Sequence, residues 1–142
     1  MRRILAATDG SEGAGRAVVF AAELARTTGA ALHVLTVGGN LPSEEMSRLA
    51  QAERDVGAVL EMLSEQVLKD AMAQAKRSGA PAVQSEARWG EPAEAILDAA
   101  KHCGADTIVL GRRGLGRLVG LLIGSVSQKV VTLAPCSVIV VP

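Results

Sequence analysis

Asp106-Thr-Ile-Val-Leu110, followed at once by Gly111-Arg-Arg-Gly114-Leu-Gly-Arg-Leu-Val-Gly-Leu-Leu-Ile-Gly124-Ser125, is the stretch that decides how the chain is read. The first five residues are an apolar run of the kind that makes a buried strand. Beyond the glycines, Val126 to Leu133 reads as a short helix capped by Ser125. A glycine-studded connection between a strand and a helix N-terminus is where α/β folds hold anions. Unpaired backbone N–H groups and the positive end of the helix dipole converge there. One stretch thus predicts both a βα unit and a phosphate-binding loop.

Outward from it, the same alternation continues. Gly90-Glu-Pro92 starts a helix with Pro in the first turn, where its missing N–H costs nothing. Ile96, Leu97 and Ala100 are its inward residues, and Gly104 stops it. Val83 to Trp89 alternates and carries charge, as a strand near a sheet edge does. Residues 43–78 are charged and helical in period, with Val56, Leu60, Leu63, Val67 and Ala71 as the apolar stripe. Glu44–Arg48 and Glu65–Lys69 are its i,i+4 pairs, Gly57 is a candidate bend, and Gly79-Ala-Pro81 closes it. Ala31 to Val37 is a β-branched strand broken by Gly38-Gly-Asn-Leu-Pro42. Arg3 to Thr8 is a strand that runs into the turn Thr8-Asp9-Gly10-Ser11. Ser11 caps a helix striped by Ala14, Ala17, Val18, Ala21, Leu24 and Ala25 and ended by Gly29. After Pro135, Ser137 to Val141 is the last strand. Strand and helix repeated four times with a closing strand predicts right-handed crossovers and a parallel, doubly wound, Rossmann-like sheet with helices on both faces. The expected strand order is 3-2-1-4-5, in a single domain spanning 1–142.

The totals agree with a packed α/β domain. Of 142 residues, 49% are hydrophobic, yet there is one Phe, one Trp and no Tyr. The core is therefore aliphatic, and the aromatic platforms of single-strand nucleic-acid binders are missing. Fifteen basic residues balance 15 acidic ones, which argues against nucleic acid or an anionic membrane as partner. Lys129 and Pro135 interrupt the apolar C-terminal part, so no membrane span is expected. Cys103 and Cys136 fit neither a metal spacing nor a disulfide framework and read as reduced thiols of a cytoplasmic protein.

In an open parallel sheet, ligands bind beyond the carboxyl ends of the strands at the switch in strand order. Here strands one and four flank that crevice, bringing Thr8-Asp9-Gly10-Ser11 and the glycine loop to one place. Neither G-x-G-x-x-G nor G-K-[ST] is present. What is present is G-x2-G-x9-G-S, as Gly111, Gly114, Gly124 and Ser125. On that motif the chain resembles the ATP-binding branch of the universal stress protein family. Ile4-Leu-Ala-Ala-Thr-Asp-Gly-Ser11, Leu32-His-Val34, Gly90-Glu-Pro-Ala-Glu-Ala-Ile96 and Ala134-Pro-Cys-Ser-Val-Ile-Val-Val141 extend the resemblance over the whole chain.

The resemblance implies ATP as the ligand, and the Asp9 carboxylate is the candidate to hold Mg²⁺ together with the phosphates. Gly111, Gly114, Gly124, Ser125, Val126 and Ser127 are then the phosphate-side residues. Asp9 serves the ribose, the backbone of Val34 addresses the adenine edge, and Ala7 and Thr8 line its pocket. Arg112, Arg113 and Arg117 are either charge-assisted phosphate ligands or solvated loop charges, and Arg113 is kept as a site residue. Leu115 to Ile123 is too apolar for a simple spacer and reads as a lid or a subunit contact. Asp9 as a cap residue, His33 as a satisfied strand histidine, His102 at a helix end and Trp89 as packing are the plain alternatives. Without an evident catalytic constellation, the expectation is a nucleotide-dependent stress-signalling module with at most slow hydrolysis or autophosphorylation. A true ATPase, or a dimeric scaffold with a vestigial site and an unidentified protein partner, are the alternatives. Strand Ser137–Val141, apolar and at the sheet edge, predicts a homodimer.

Overall fold

The structure, a computed structural model, describes residues 1–38, 56–112 and 123–142. Its elements in chain order are β1 (Arg3–Ala7), α1 (Glu12–Thr28), β2 (Ala31–Gly38), α2 (Val56–Arg77) and β3 (Val83–Trp89). There follow α3 (Pro92–Cys103), β4 (Thr107–Gly111), α4 (Ser125–Leu133) and β5 (Ser137–Val141). The five strands form one sheet in the order β3-β2-β1-β4-β5, and every pairing is parallel. Four helices among the described residues cover its two faces.

Alternation along the strands explains the layers. Ile4, Ala6, Leu32, Val34 and Val109 pack with the alanines of α1 and with Ala71 and Ala75 of α2. Leu5, Leu35, Ile108 and Leu110 turn the other way, onto Ala93, Ile96, Ala99 and Ala100 of α3 and Val130 of α4. Each Val, Leu or Ile side chain so buried contributes about 1.5–3 kcal/mol before entropy is counted. Alanine on the helices lets the layers approach closely, which is how a core with almost no rings still closes.

Local chemistry sets the element ends. The Ser11 hydroxyl accepts the Ala14 N–H at 3.3 Å, and Gly29 ends α1 with φ 75°. Glu91, not a hydroxyl residue, caps α3, its carboxylate accepting the N–H groups of Ala93 and Glu94. Asp106, expected as the first residue of β4, lies just before it. Its Oδ2 accepts the Arg2 N–H at 2.7 Å and the Arg3 N–H at 3.4 Å. The Arg2 amide foremost, against a burial penalty, holds this carboxyl below its usual range. The expected Glu65–Lys69 pair is not among the ion pairs of the described residues; Gln66 Nε2 instead donates to Asp70 Oδ1 at 2.8 Å. Glu44–Arg48 lies outside the described residues. Cys103 and Cys136 pack against the same apolar cluster. Both thiols are free, and burial, then Asp106 and Cys103, push the Cys136 thiol up.

Candidate functional site

The carboxyl ends of β1 and β4 lie side by side, with Ala6 in register with Val109. Two residues further on, the Thr8–Ser11 turn therefore stands next to Gly111 and Arg112. This turn is locked from within. Thr8 N–H donates to the Leu35 carbonyl at 2.8 Å, and Thr8 Oγ1 accepts the Gly10 N–H at 3.2 Å. Asp9 Oδ1 accepts the Ser11 N–H at 2.9 Å. Gly10 adopts φ 84°, where a side chain is strained, and a Cβ there would sit 3.0 Å from Val67.

Across the crevice, α4 is pinned to the end of β4 by two bonds. Gly124 N–H donates to the Arg112 carbonyl at 2.7 Å, and the Ser127 hydroxyl donates to the Gly111 carbonyl at 2.7 Å. The first helical turn bond runs from Gln128 N–H to the Gly124 carbonyl. The N–H groups of Ser125, Val126 and Ser127 thus precede the intrahelical ladder and face the helix mouth. Gly124 is the N-cap and gives no side-chain cap bond, so Ser125 is the first helical residue and not the expected cap. Its hydroxyl is left exposed at the mouth. Arg112 is fixed on its other side too, its N–H donating to the Val141 carbonyl at 2.8 Å. The Nε of Arg112 is buried and has no hydrogen-bond partner.

A family model described as the universal stress protein family matches residues 1–142. The chain belongs to the universal stress protein family. A universal stress protein of Thermus aquaticus is 41% identical over 140 residues, covering 99% of this chain and 98% of that one. A universal stress protein solved in complex with cAMP superposes with TM-score 0.73 at 27% identity, over 99% of this chain and 95% of that one. The universal stress protein from Archaeoglobus fulgidus in complex with dAMP gives TM-score 0.70 at 25% identity, over 100% and 98%.

In this universal stress protein the candidate residues fall into three groups. Ala7, Thr8, Asp9, Gly111, Gly124, Ser125, Val126 and Ser127 gather at the carboxyl ends of β1 and β4. Val34 stands apart. It is fully buried, and because Leu32 N–H donates to Ala82 while Leu35 accepts from Thr8, its main chain faces β3. Arg113, Gly114 and residues 115–122 of the apolar insert lie outside the described residues. Ile123, the insert's last residue, is half-buried.

Two features escaped the sequence reading. Gly111 packs against Gly13, whose carbonyl carbon and oxygen lie 3.1 Å from where a Cβ would be. Its smallness therefore serves the crossing of α1 over β4. No local signal tied these two glycines together, since they come from different βα units. A cleft of about 730 Å³ also opens between α1 and α2, lined by Thr8, Gly10, Ser11, Arg16, Gln66 and Asp70 among others. Three of its α2 residues, Leu63, Val67 and Ala71, belong to the apolar stripe read from the sequence.

The site suits an anionic nucleotide on its own features. The mouth of α4 offers main-chain donors, the Ser125 hydroxyl is exposed, and Arg112, whose main chain bonds Gly124, has a buried Nε without an acceptor. No group of three or more His, Cys, Asp or Glu side chains that could hold a metal occurs among the described residues. A Mg²⁺ ion here would need phosphate oxygens as well as Asp9. No described helix is long and apolar enough to cross a membrane.

Proposed function

We propose that this protein binds ATP, with Mg²⁺ carried between Asp9 and the phosphates, and acts as a nucleotide-dependent module of stress signalling in the cytoplasm. Hydrolysis or self-phosphorylation is at most slow. The observation that carries the reading is the bond from Gly124 N–H to the Arg112 carbonyl. It brings the two ends of the glycine motif together, so that the mouth of α4 opens beside the Thr8–Asp9 turn. Relatives in complex with cAMP and with dAMP support an adenine nucleotide as the ligand class.

In this reading the main-chain N–H groups of Ser125, Val126 and Ser127 hold phosphate oxygens, together with the Ser125 hydroxyl. Ser127 contributes only its main chain, since its hydroxyl is committed to Gly111. Asp9 serves the ribose and the metal, and Ala7 and Thr8 line the adenosine end. Val34 addresses the base only from within the sheet, because its main chain faces β3. We further propose that two copies pair through β5.

Titration of the purified protein with ATP, and of a Gly124→Val variant, tests the site. A branched side chain at the N-cap stands in the mouth of α4, so the variant is expected to lose binding. Equal binding by both proteins sinks the assignment, and binding by neither leaves the scaffold reading. Phosphate release followed over time separates a switch from an enzyme: many turnovers within minutes would contradict the switch.

A further inference from the structure

We propose that Arg112 is the counter-charge for the phosphate chain in this protein, a role that rests on the nucleotide reading above and adds to it the residue that recognises negative charge. In β4, Ile108 and Leu110 face α3 and α4, whereas Gly111 faces the first turn of α1. Arg112 continues the set that faces α4, and its carbonyl accepts the N–H of Gly124, the N-cap of that helix. Its main chain is fixed from both sides, by Val141 and by Gly124. The position of the side chain's root is therefore set before any ligand arrives.

What the guanidinium lacks is an acceptor. Its Nε is buried and without a partner, and no ion pair of the described residues includes it. The two carboxylates at the first turn of α3 are engaged elsewhere. Glu91 accepts from Ala93 and Glu94, and Lys129 lies 3.3 Å from Glu91 and 3.9 Å from Glu94. Buried donors are nearly always satisfied, so an orphaned guanidinium nitrogen calls for an explanation. A solvated loop charge, the plain sequence alternative, does not bury its Nε. A phosphate group does explain it, because its several oxygens can accept from a guanidinium fork and from helix N–H groups at once.

This makes a prediction of opposite signs. Replacing a charge that lacks an acceptor with an apolar chain of similar length should leave the ligand-free protein as stable or more so, while weakening anion binding. Arg112→Met and Arg112→Lys are compared with the natural protein by thermal unfolding without ligand. Binding is then titrated with inorganic tripolyphosphate, ATP and adenosine. Arg112→Met should unfold no earlier than the natural protein, bind tripolyphosphate and ATP at least about tenfold more weakly, and bind adenosine unchanged. Arg112→Lys should recover part of the loss. Arg112→Met binding both anions within twofold of the natural protein, or unfolding earlier without ligand, overturns the proposal. If the natural protein binds tripolyphosphate through Arg112 but not ATP, the nucleotide reading falls and this one stands. If it binds ATP and Arg112→Met binds it equally, the reverse holds. Binding of neither anion by the natural protein overturns both.

Discussion

At Gly111, an added Cβ would stand 3.1 Å from the carbonyl carbon and oxygen of Gly13 and 3.3 Å from Ala14 N. All three are main-chain atoms of α1, which cannot swing aside as a flexible side chain does. Gly111→Ala should therefore lift α1 off β4 and cost about 1–3 kcal/mol, the usual cost of overpacking, read as a lower urea midpoint. A neutral result would mean that α1 shifts freely. Glu86 offers a residue-scale test by pH. Burial works against its carboxylate, but hydrogen bonds from His33 at 2.9 Å and Arg88 at 2.5 Å outweigh it. The net effect lowers its pKa from the ordinary 4.5. A carboxyl lowered on folding adds stability that is full above its unfolded value and lost as pH falls through the folded one. Glu86→Gln should thus cost about 1 kcal/mol at neutral pH, with the gap closing as pH drops below 4.5. A gap of constant size across that range would show that the carboxylate charge is not what holds His33 and Arg88.

At the scale of elements, a buried hydroxyl makes one of the two bonds that hold α4 to the end of β4. Ser127 is 5% exposed, and its bond to the Gly111 carbonyl sets the distance between the strand end and the helix mouth. Ser127→Ala leaves that carbonyl without its donor and should cost about 1–3 kcal/mol. It should also weaken ATP binding, since the mouth of α4 then keeps only the Gly124 bond to Arg112; calorimetric titration beside a denaturant curve reads both. Unchanged ATP affinity in a destabilised variant would separate the latch from the site. Elements like α1 were legible from sequence because their signals are local: Ser11, an alanine stripe and Gly29 are all the helix needs. The five strands and their order were legible for the same reason, as glycines and prolines punctuate every crossover. What sequence hid is long-range. Asp106 leaves β4 because amides more than a hundred residues away claim its carboxylate. Gly111 is small for the sake of Gly13, and the two cysteines meet only once α3 and β5 are packed. At the site, the motif placed Gly111, Gly124 and Ser125 at one strand end, but the burial of Arg112 Nε depends on long-range packing that no local pattern announces.

At the scale of the whole molecule, the sheet ends in two unlike edges. β3 carries Gln84, Glu86 and Arg88, polar enough to discourage pairing, whereas β5 is Ser137 followed by four aliphatic residues, all half-buried in the single chain. Phe20, 41% exposed, lies one turn beyond Arg16, whose Nε donates to the Pro142 carbonyl at 3.1 Å. Bare edges of this kind recruit a partner strand, and a second copy of β5 is the partner proposed here. The backbone shows how to test this without breaking the fold. Arg112 N–H donates to the Val141 carbonyl, so the main chain of Val141 faces β4, as alternation requires for Ile139 and Ser137. The main chains of Val138 and Val140 then face outward. Val140→Pro removes an outward N–H while sparing the ladder to β4, a position where edge strands tolerate proline. In sedimentation at micromolar concentration the natural protein should run as a dimer and Val140→Pro as a monomer. Because Arg112 is tied to β5 at Val141 and not at Val140, ATP affinity should stay within about twofold, well under the 1.4 kcal/mol of a tenfold change. A dimer that persists in the proline variant would place the contact away from the β5 edge, and a monomeric natural protein would remove it altogether.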